Sequence, residues 1–333
     1  MQDKRVLVTG GAGFLGAAVV RELVEAGVKT PRVLARPGEP LDNLEGLDVE
    51  LVRGDVLSVE DCKRAAADRD VVFHLAAIYR DYMADPSPMY AVNMRGTYNM
   101  LEAARRAGVE TVVYTASIVA LGRPAPGALG DEKTPYNGWD VDFPYSRTKH
   151  LSMWLAEDFA AWGLDVRVVC PGMVFGPGDI GPTPSGQLVI NVAKGETPAY
   201  TDGGCSYVDV RDVARVHRLV VERGAPGERY LATAHNLSNK QFFQTIARVS
   251  GTNQRFPWIP VRVARAYIKL LAKIAIRRGE DPLLTPSMFD YSCRPPYFDN
   301  RKSIDELGAS YRPIEETIAD ALAYFRARGL LDK

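Results

Sequence analysis

The stretch that most limits what this chain can fold into is Val6-Leu7-Val8-Thr9-Gly10-Gly11-Ala12-Gly13-Phe14-Leu15-Gly16. It passes from a short β-branched run through three spaced glycines into helical periodicity. Gly10 suits a tight turn, Gly13 leaves the backbone bare for a close ligand, and Gly16 lets the helix lie against the strand. A helix starting there offers unpaired N–H groups and the positive end of its dipole to a phosphate. One such junction is weak on its own. Here it heads an alternating chain, with candidate strands Arg5–Thr9, Arg32–Ala35, Val49–Val52, Val71–Leu75, Thr111–Ala116 and Val166–Cys170. Between them lie helical patterns at Phe14–Ala26, Glu60–Ala66, Met89–Ala107 and Tyr145–Trp162. Strands apolar on both faces, alternating with helices, predict an α/β fold: a doubly wound parallel sheet of the Rossmann kind with right-handed crossovers.

After Pro171 the pattern changes. Gly172–Gly186 is dense in Gly and Pro and reads as no single regular element. Beyond it come helical patterns at Asp209–Glu222, Lys240–Val249, Val261–Ile276 and Ile314–Ala327, with loops such as Ser292–Asn300. The expected division is a dinucleotide-binding domain over 1–170, to which 207–223 returns. A smaller, mostly helical substrate lobe then takes 171–206 and 224–333. Helix Val261–Ile276 repeats Arg262, Arg265, Lys269 and Lys273 at spacings of three and four, with Ile268, Leu271 and Ala275 opposite. It reads as a surface helix with a solvated basic face, a membrane-surface role being the alternative.

Composition narrows the function. With 41 Lys+Arg against 41 Asp+Glu there is no overall field to gather nucleic acid or an anionic membrane. No apolar run approaches the ~20 residues of a membrane span, and the first apolar strand is too short for a signal-peptide core. A cytosolic protein is expected. Cys62, Cys170, Cys205 and Cys293 are scattered, without a CxxC pair, so neither a metal site nor a disulfide framework is expected.

A dinucleotide site of the NAD type places an acid at the end of the second strand. This chain has Val33-Leu34-Ala35-Arg36-Pro37 there, and Arg36 would neutralise a 2′-phosphate, which points to NADP(H). Gly54-Asp55-Val56 would meet the adenine edge, and Leu75, Ala76 and Ala77 leave room for the cofactor. His74 reads as a packed strand residue. Tyr145-Ser146-Arg147-Thr148-Lys149 puts a phenol and an ammonium on one helix face. A cation there favours the phenolate, making Tyr145 a general acid/base near neutral pH. Ser117 stands at a carboxyl strand end, where open α/β sheets bind ligands.

With these motifs in place the chain resembles the extended short-chain dehydrogenases/reductases over most of its length. The resemblance rests on Thr9–Gly16, Asp55, His74–Ala77, Asn93-Met94-Arg95-Gly96-Thr97, Ser117, Tyr145 with Lys149, Pro171–Gly178 and Tyr207–Ala214. It implies a catalytic triad of Ser117, Tyr145 and Lys149, with Lys149 also holding the nicotinamide ribose and Asn93 supporting the site. It assigns Gly10, Gly13, Phe14, Leu15, Gly16, Arg36, Asp55, Val56, Leu75, Ala76, Ala77, Pro171, Gly172 and Val174 to the cofactor, NADP(H) by preference with NAD(H) possible. It also implies a homodimer through the helices near Met94–Ala107 and Tyr145–Trp162. Sugar dehydratases carry Thr-Asp-Glu where this chain has Ser117-Ile118-Val119, which argues against dehydration. Cys170-Pro171-Gly172-Met173-Val174-Phe175-Gly176-Pro177-Gly178-Asp179 is similar to dihydroflavonol reductases, 3β-hydroxysteroid dehydrogenases and hopanoid-associated proteins labelled sugar epimerases. The last group looks closest through Ala76–Met83, Gly178–Gly186 and Pro296–Gly308. Ile78, Tyr79, Tyr82, Met83, Val119, Met173 and Tyr207 are candidate substrate contacts, suited to an aromatic, alicyclic or keto-acyl carbonyl. The expected activity is reversible hydride transfer between NADPH and a ketone or aldehyde. The alternatives are a nucleotide-sugar epimerase, which would need cations such as Arg255, Arg262 or Arg294 for its diphosphate, and a non-catalytic NADP-sensing protein.

Overall fold

The computed structural model describes residues 1–331 apart from Asp81, Asn253, Leu283 and Pro295. Asp81 belongs to the Ala76–Met83 stretch named above and so lies outside the described residues. The strands are β1 (Val6–Thr9), β2 (Arg32–Ala35), β3 (Glu50–Arg53), β4 (Val71–His74), β5 (Thr111–Thr115), β6 (Val166–Pro171), β7 (Met173–Phe175), β8 (Gly204–Asp209), β9 (Arg229–Ala232) and β10 (His235–Ser238). Seven of them form one sheet in the order β3-β2-β1-β4-β5-β6-β9. Every pairing in it is parallel. The order turns outward in both directions from β1 and β4, where Thr9 lies opposite His74. That reversal opens the crevice in which sheets of this kind take their ligands.

The helices are α1 (Phe14–Glu25), α2 (Val59–Ala66), α3 (Ser87–Tyr90), α4 (Thr97–Ala107), α5 (Pro144–Ala161), α6 (Pro184–Ala193), α7 (Val210–Arg223), α8 (Asn239–Ser250), α9 (Val261–Arg277), α10 (Pro286–Ser292), α11 (Arg301–Leu307) and α12 (Ile314–Ala327). On one sheet face α1 and α7 interlock through Val19, Val20, Leu23, Val213, Val216 and Val220. On the other, α2, α4 and α5 bury Cys62, Met100, Leu101, Met153 and Phe159. Both faces of the inner strands are therefore dry, which is why those strands read as apolar runs, while the edge strand β3 is half-exposed.

The structure refines several expectations. The predicted helix Met89–Ala107 is broken by a π-helical turn over Ala91–Gly96, a feature that concentrates at functional sites. The C-terminal part is helical, but it also carries a three-stranded sheet in the order β10-β8-β7. β7 is three residues long and lies among Gly and Pro, and β10 is a polar run of four, which hides both from periodicity. The Gly172–Gly186 stretch contains β7 and the start of α6, where Thr183 caps Gly186 N–H. A third core gathers Phe175, Val189, Tyr207, Phe242, Ile246, Ile318 and Phe325 between the small sheet and α6, α8 and α12. Arg312 ties it to the start of α7, with Nη1 at 3.1 Å from Asp209 and 3.0 Å from Asp212.

Candidate active site

The site is built at the carboxyl ends of β1, β4, β5 and β6. At Gly10 the backbone is left-handed (φ 68°). A Cβ there would come within 2.9 Å of the Ala76 amide nitrogen. A Cβ on Gly16 would run into the Gly10 carbonyl oxygen. Gly13 caps α1 with no side chain, and Ala17 N–H makes the first helical bond to its carbonyl at 2.9 Å. Phe14, Leu15 and Gly16 thus supply first-turn N–H groups, which have no partner inside a helix. Bare backbone, crowding by Ala76 and an open dipole end fit a dinucleotide pyrophosphate.

Behind this loop runs a buried polar chain. Ala76 N–H donates to Thr9 Oγ1 at 3.2 Å, and Thr9 Oγ1 lies 2.8 Å from His74 Nδ1. His74 Nε2 sits 3.1 Å from Thr97 Oγ1, which donates to the Asn93 carbonyl at 2.6 Å. Because Thr97 donates its proton to Asn93, the ring proton toward it sits on Nε2, and in the neutral ring Nδ1 accepts from Thr9. Burial, reinforced by the Lys149 charge, pushes the His74 pKa down to about 3. His74 is a packed strand residue that fixes the floor formed by Leu75, Ala76 and Ala77.

At the cofactor's far end Arg36 is exposed beyond β2, with its guanidinium 3.9 Å from Glu39. Arg53, which sequence reasoning overlooked, donates to the Arg36 and Glu39 carbonyls at 2.8 and 3.1 Å, so two guanidinium groups border this corner. Asp55 Oδ1 accepts from Leu57 N–H at 2.8 Å, shaping the turn after β3, while Val56 is buried under Gly96.

The first turns of α5 lie along the segment leaving β5. Ser146 Oγ donates to Val119 O at 2.8 Å, and His150 Nδ1 lies 2.9 Å from Ala120 O. Lys149 Nζ donates to Thr115 O at 2.5 Å and stands 4.9 Å from the Tyr114 ring centre. Ser117 sits inside the segment these contacts bracket, its Oγ accepting from Val119 N–H at 3.3 Å. Tyr145 and Lys149, one helical turn apart, share the face turned toward it. Lys149 is buried and, among the described residues, has no carboxylate partner. Burial pushes its pKa down to about 7. The Tyr145 ring packs 4.7 Å from Tyr79 and 5.9 Å from Phe143.

Asn93, in the π-helical turn, binds the entrance loop at both ends. Its Oδ1 accepts from Ile78 N–H at 2.7 Å, and its Nδ2 donates to Ile78 O at 3.1 Å and to Thr148 Oγ1 at 3.0 Å. It therefore locks the loop carrying Tyr79 to the helix carrying Tyr145 and Lys149. Asn93→Ala removes the side-chain partners of two half-buried backbone groups and is expected to cost on the order of 2 kcal/mol. Denaturant midpoints check that value, and turnover should fall roughly tenfold as the loop loosens.

Beyond β6, Pro171 is buried, and a Cβ on Gly172 would meet the Ser206 carbonyl oxygen. Met173 and Val174 enter β7 opposite Tyr207 and Val208. Of the candidate substrate contacts, Tyr79 is exposed, whereas Ile78, Tyr82, Met83, Val119 and Met173 are half-buried. Tyr207 is corrected: it is fully buried and stacked 3.9 Å from Phe242, so it belongs to the third core. Sequence reasoning also missed Arg123. Its Nε and Nη2 are buried and, among the described residues, have no hydrogen-bond partner, and its guanidinium lies 4.1 Å over the Tyr291 ring. Tyr291 packs 5.4 Å from Phe143, the neighbour of Tyr145. Arg255, Arg262 and Arg294, the cations considered for a diphosphate, are all exposed.

A parallel sheet reversing at β1 and β4, with a glycine-loop cradle at that point, defines a dinucleotide-binding protein of the Rossmann class. The description of the NAD dependent epimerase/dehydratase family matches residues 6–233, and the chain belongs to that family. It is 33% identical to the putative dihydroflavonol 4-reductase of Synechocystis sp., across 97% of this chain and 94% of that protein. It is 32% identical to sterol demethylase protein B of Methylococcus capsulatus, across 98% of this chain and 99% of the other. Among solved structures, that of gox2253 superposes with a TM-score of 0.88 at 33% identity, covering 99% of this chain and 100% of that one.

Proposed function

We propose that the protein is an NADP(H)-dependent carbonyl reductase or alcohol dehydrogenase with Ser117, Tyr145 and Lys149 as its catalytic residues. The observation that carries the reading is Lys149. A buried ammonium without a carboxylate partner, one helical turn from a tyrosine, is costly unless its charge is used. When bound, the nicotinamide supplies or accepts the hydride. Ser117 Oγ donates a hydrogen bond to the carbonyl oxygen as negative charge gathers there. The Tyr145 hydroxyl delivers its proton to that oxygen in reduction and takes one from the alcohol in oxidation. Lys149 steadies the phenolate. Tyr79, Met83, Val119 and Met173 make a largely apolar wall, and the reductase and sterol names among the relatives agree with an apolar substrate body.

The test is cofactor consumption by purified protein against aromatic, alicyclic and keto-acyl substrates, matched against alcohol formed. One-for-one stoichiometry supports the reading. Cofactor retained through purification with no net consumption refutes it in favour of the second reading, a nucleotide-sugar epimerase. Arg123 favours that second reading, because a half-buried guanidinium over Tyr291, with two nitrogens that have no partner among the described residues, suits an anionic substrate group.

Arg36, with Arg53 beside it and no acid ending β2, underlies the preference for NADP(H). Arg36→Glu is expected to lower the NADPH-over-NADH ratio of kcat/KM at least tenfold, measured with one substrate and both cofactors. We further propose a homodimer through α4 and α5, whose outer faces expose Tyr98, Trp154 and Trp162.

A further inference from the structure

Helix α9 contributes little to any core. Its fully buried residues are Ala264 and Ala272 alone, with half-buried Val261, Ile268 and Ala275 on the same side. The basic face is solvated, with Arg262, Arg265, Lys269 and Lys273 all exposed, while of the apolar residues opposite it Ile268 and Ala275 are half-buried and Leu271 is exposed. Val263, Tyr267, Leu270 and Leu271 are exposed by 59%, 59%, 55% and 45%. Val263, Tyr267 and Leu270 follow the i, i+4, i+7 spacing of a single stripe. Trp258, 50% exposed, precedes the helix. The apolar stripe, the cationic side and the buried side thus occupy three separate sectors. Between Arg255 and Gly279 the sequence holds seven Lys or Arg and no Asp or Glu, within a chain of zero net charge.

We infer that α9 docks on an anionic lipid bilayer. The helix lies in the interface plane, with Tyr267 and Leu270 at the acyl boundary and Arg262, Lys269 and Lys273 against the headgroups. Charge decides between occupants. A two-fold contact with a second copy would bring the same cations face to face with no acid on either helix. An anionic surface meets them with the opposite sign. Trp258 and Tyr267 have the amphipathic rings that favour this depth. Among the described residues no helix is long and apolar enough to cross a membrane, so the attachment is peripheral. Helix α9 also packs on α10, held there by Arg265 with Asp290 at 2.5 Å. Tyr291 of α10 reaches Phe143 beside Tyr145, so one helix separates the docking face from the cleft.

Flotation of the full chain with phosphatidylcholine vesicles, pure or carrying 30% phosphatidylglycerol, tests the inference. Binding is expected to the anionic vesicles only, and to fall at least tenfold between about 50 and 500 mM salt. Leu270→Glu, and separately Lys269→Glu with Lys273→Glu, should each lower partitioning at least tenfold while Tm is kept. Should Leu270→Glu unfold the chain, the double charge reversal, at two exposed positions, carries the test. Binding to neither vesicle, equal binding to both, or binding indifferent to the double variant overturns the inference. So does a sedimentation-velocity dimer that Leu270→Glu converts to monomer, because the face would then belong to a second copy.

Discussion

Tyr145→Phe is expected to lower kcat/KM for carbonyl reduction by about 10³ or more while changing the dissociation constant of NADPH less than twofold. The substitution deletes one oxygen and keeps the ring, which packs between Tyr79 at 4.7 Å and Phe143 at 5.9 Å. Tm should therefore hardly move. What disappears is the hydroxyl assigned to hand a proton to the reacting oxygen. General acid catalysis of this kind is worth about 10² to 10⁴, and the hydrogen bond lost from the developing oxyanion adds to it. Ser117 cannot substitute, since its hydroxyl is far too weak an acid and no base adjoins it in the described contacts. Steady-state kinetics with a competent substrate, alongside fluorescence titration of NADPH, separates the two quantities. Turnover within tenfold of wild type would remove Tyr145 from its assigned role. A parallel loss of NADPH affinity would make it a cofactor-positioning residue instead.

How much of this could be read in advance differs between the layers of the fold. Five of the first six parallel strands were legible because they are largely dry on both faces and bounded by turn residues. The edge strand β3 was legible because it continues their alternation with helices although half-exposed, and the glycine loop because few backbones tolerate its spacing. Ser117, Tyr145 and Lys149 were legible as a set through strand ends and helical spacing, although neither cue shows that Lys149 is buried without an acid. The small sheet was not legible. β7 is three residues long and follows Gly172, and β10 is a polar run, His235–Ser238, so neither carries an alternation to count. Tyr207 looked like a pocket residue because the sequence cannot say which side of β8 it takes; the structure turns it toward Phe242. Arg123 escaped because a single arginine after Gly122 has no pattern, and its meaning comes from Tyr291, far away in the chain. The exposed apolar stripe of α9 was not legible for a related reason. Amphipathicity fixes which residues share a side, while only tertiary packing decides which side is covered.

Lys149→Met is expected to lower turnover by orders of magnitude and at the same time make the protein more stable. The ammonium donates to Thr115 O at 2.5 Å and faces the Tyr114 ring, but it is buried, and burial holds its pKa at about 7, down from 10.5 in an unfolded chain. Between those two values the unfolded chain binds more protons than the folded one, so this group makes stability rise with pH from about 7 to about 10.5. Below pH 7 the full burden of the buried charge falls on the fold. Methionine fills the same volume with no charge. At pH 7 it should gain on the order of 2 kcal/mol, raise Tm by a few degrees and flatten that rise. The activity moves the other way. Without the ammonium nothing nearby favours the phenolate, so kcat should fall about 10² to 10⁴. Any residual alcohol oxidation should shift to higher pH by a unit or more. Thermal unfolding from pH 6 to 10, paired with pH–rate profiles of both forms, reads the two effects on one variant. A wild-type protein more stable than Lys149→Met at pH 7 would mean that the ammonium is satisfied within the fold, and the reason for assigning it a catalytic use would be gone. The opposite result, greater stability bought with lost turnover, is what a site held in tension for catalysis produces.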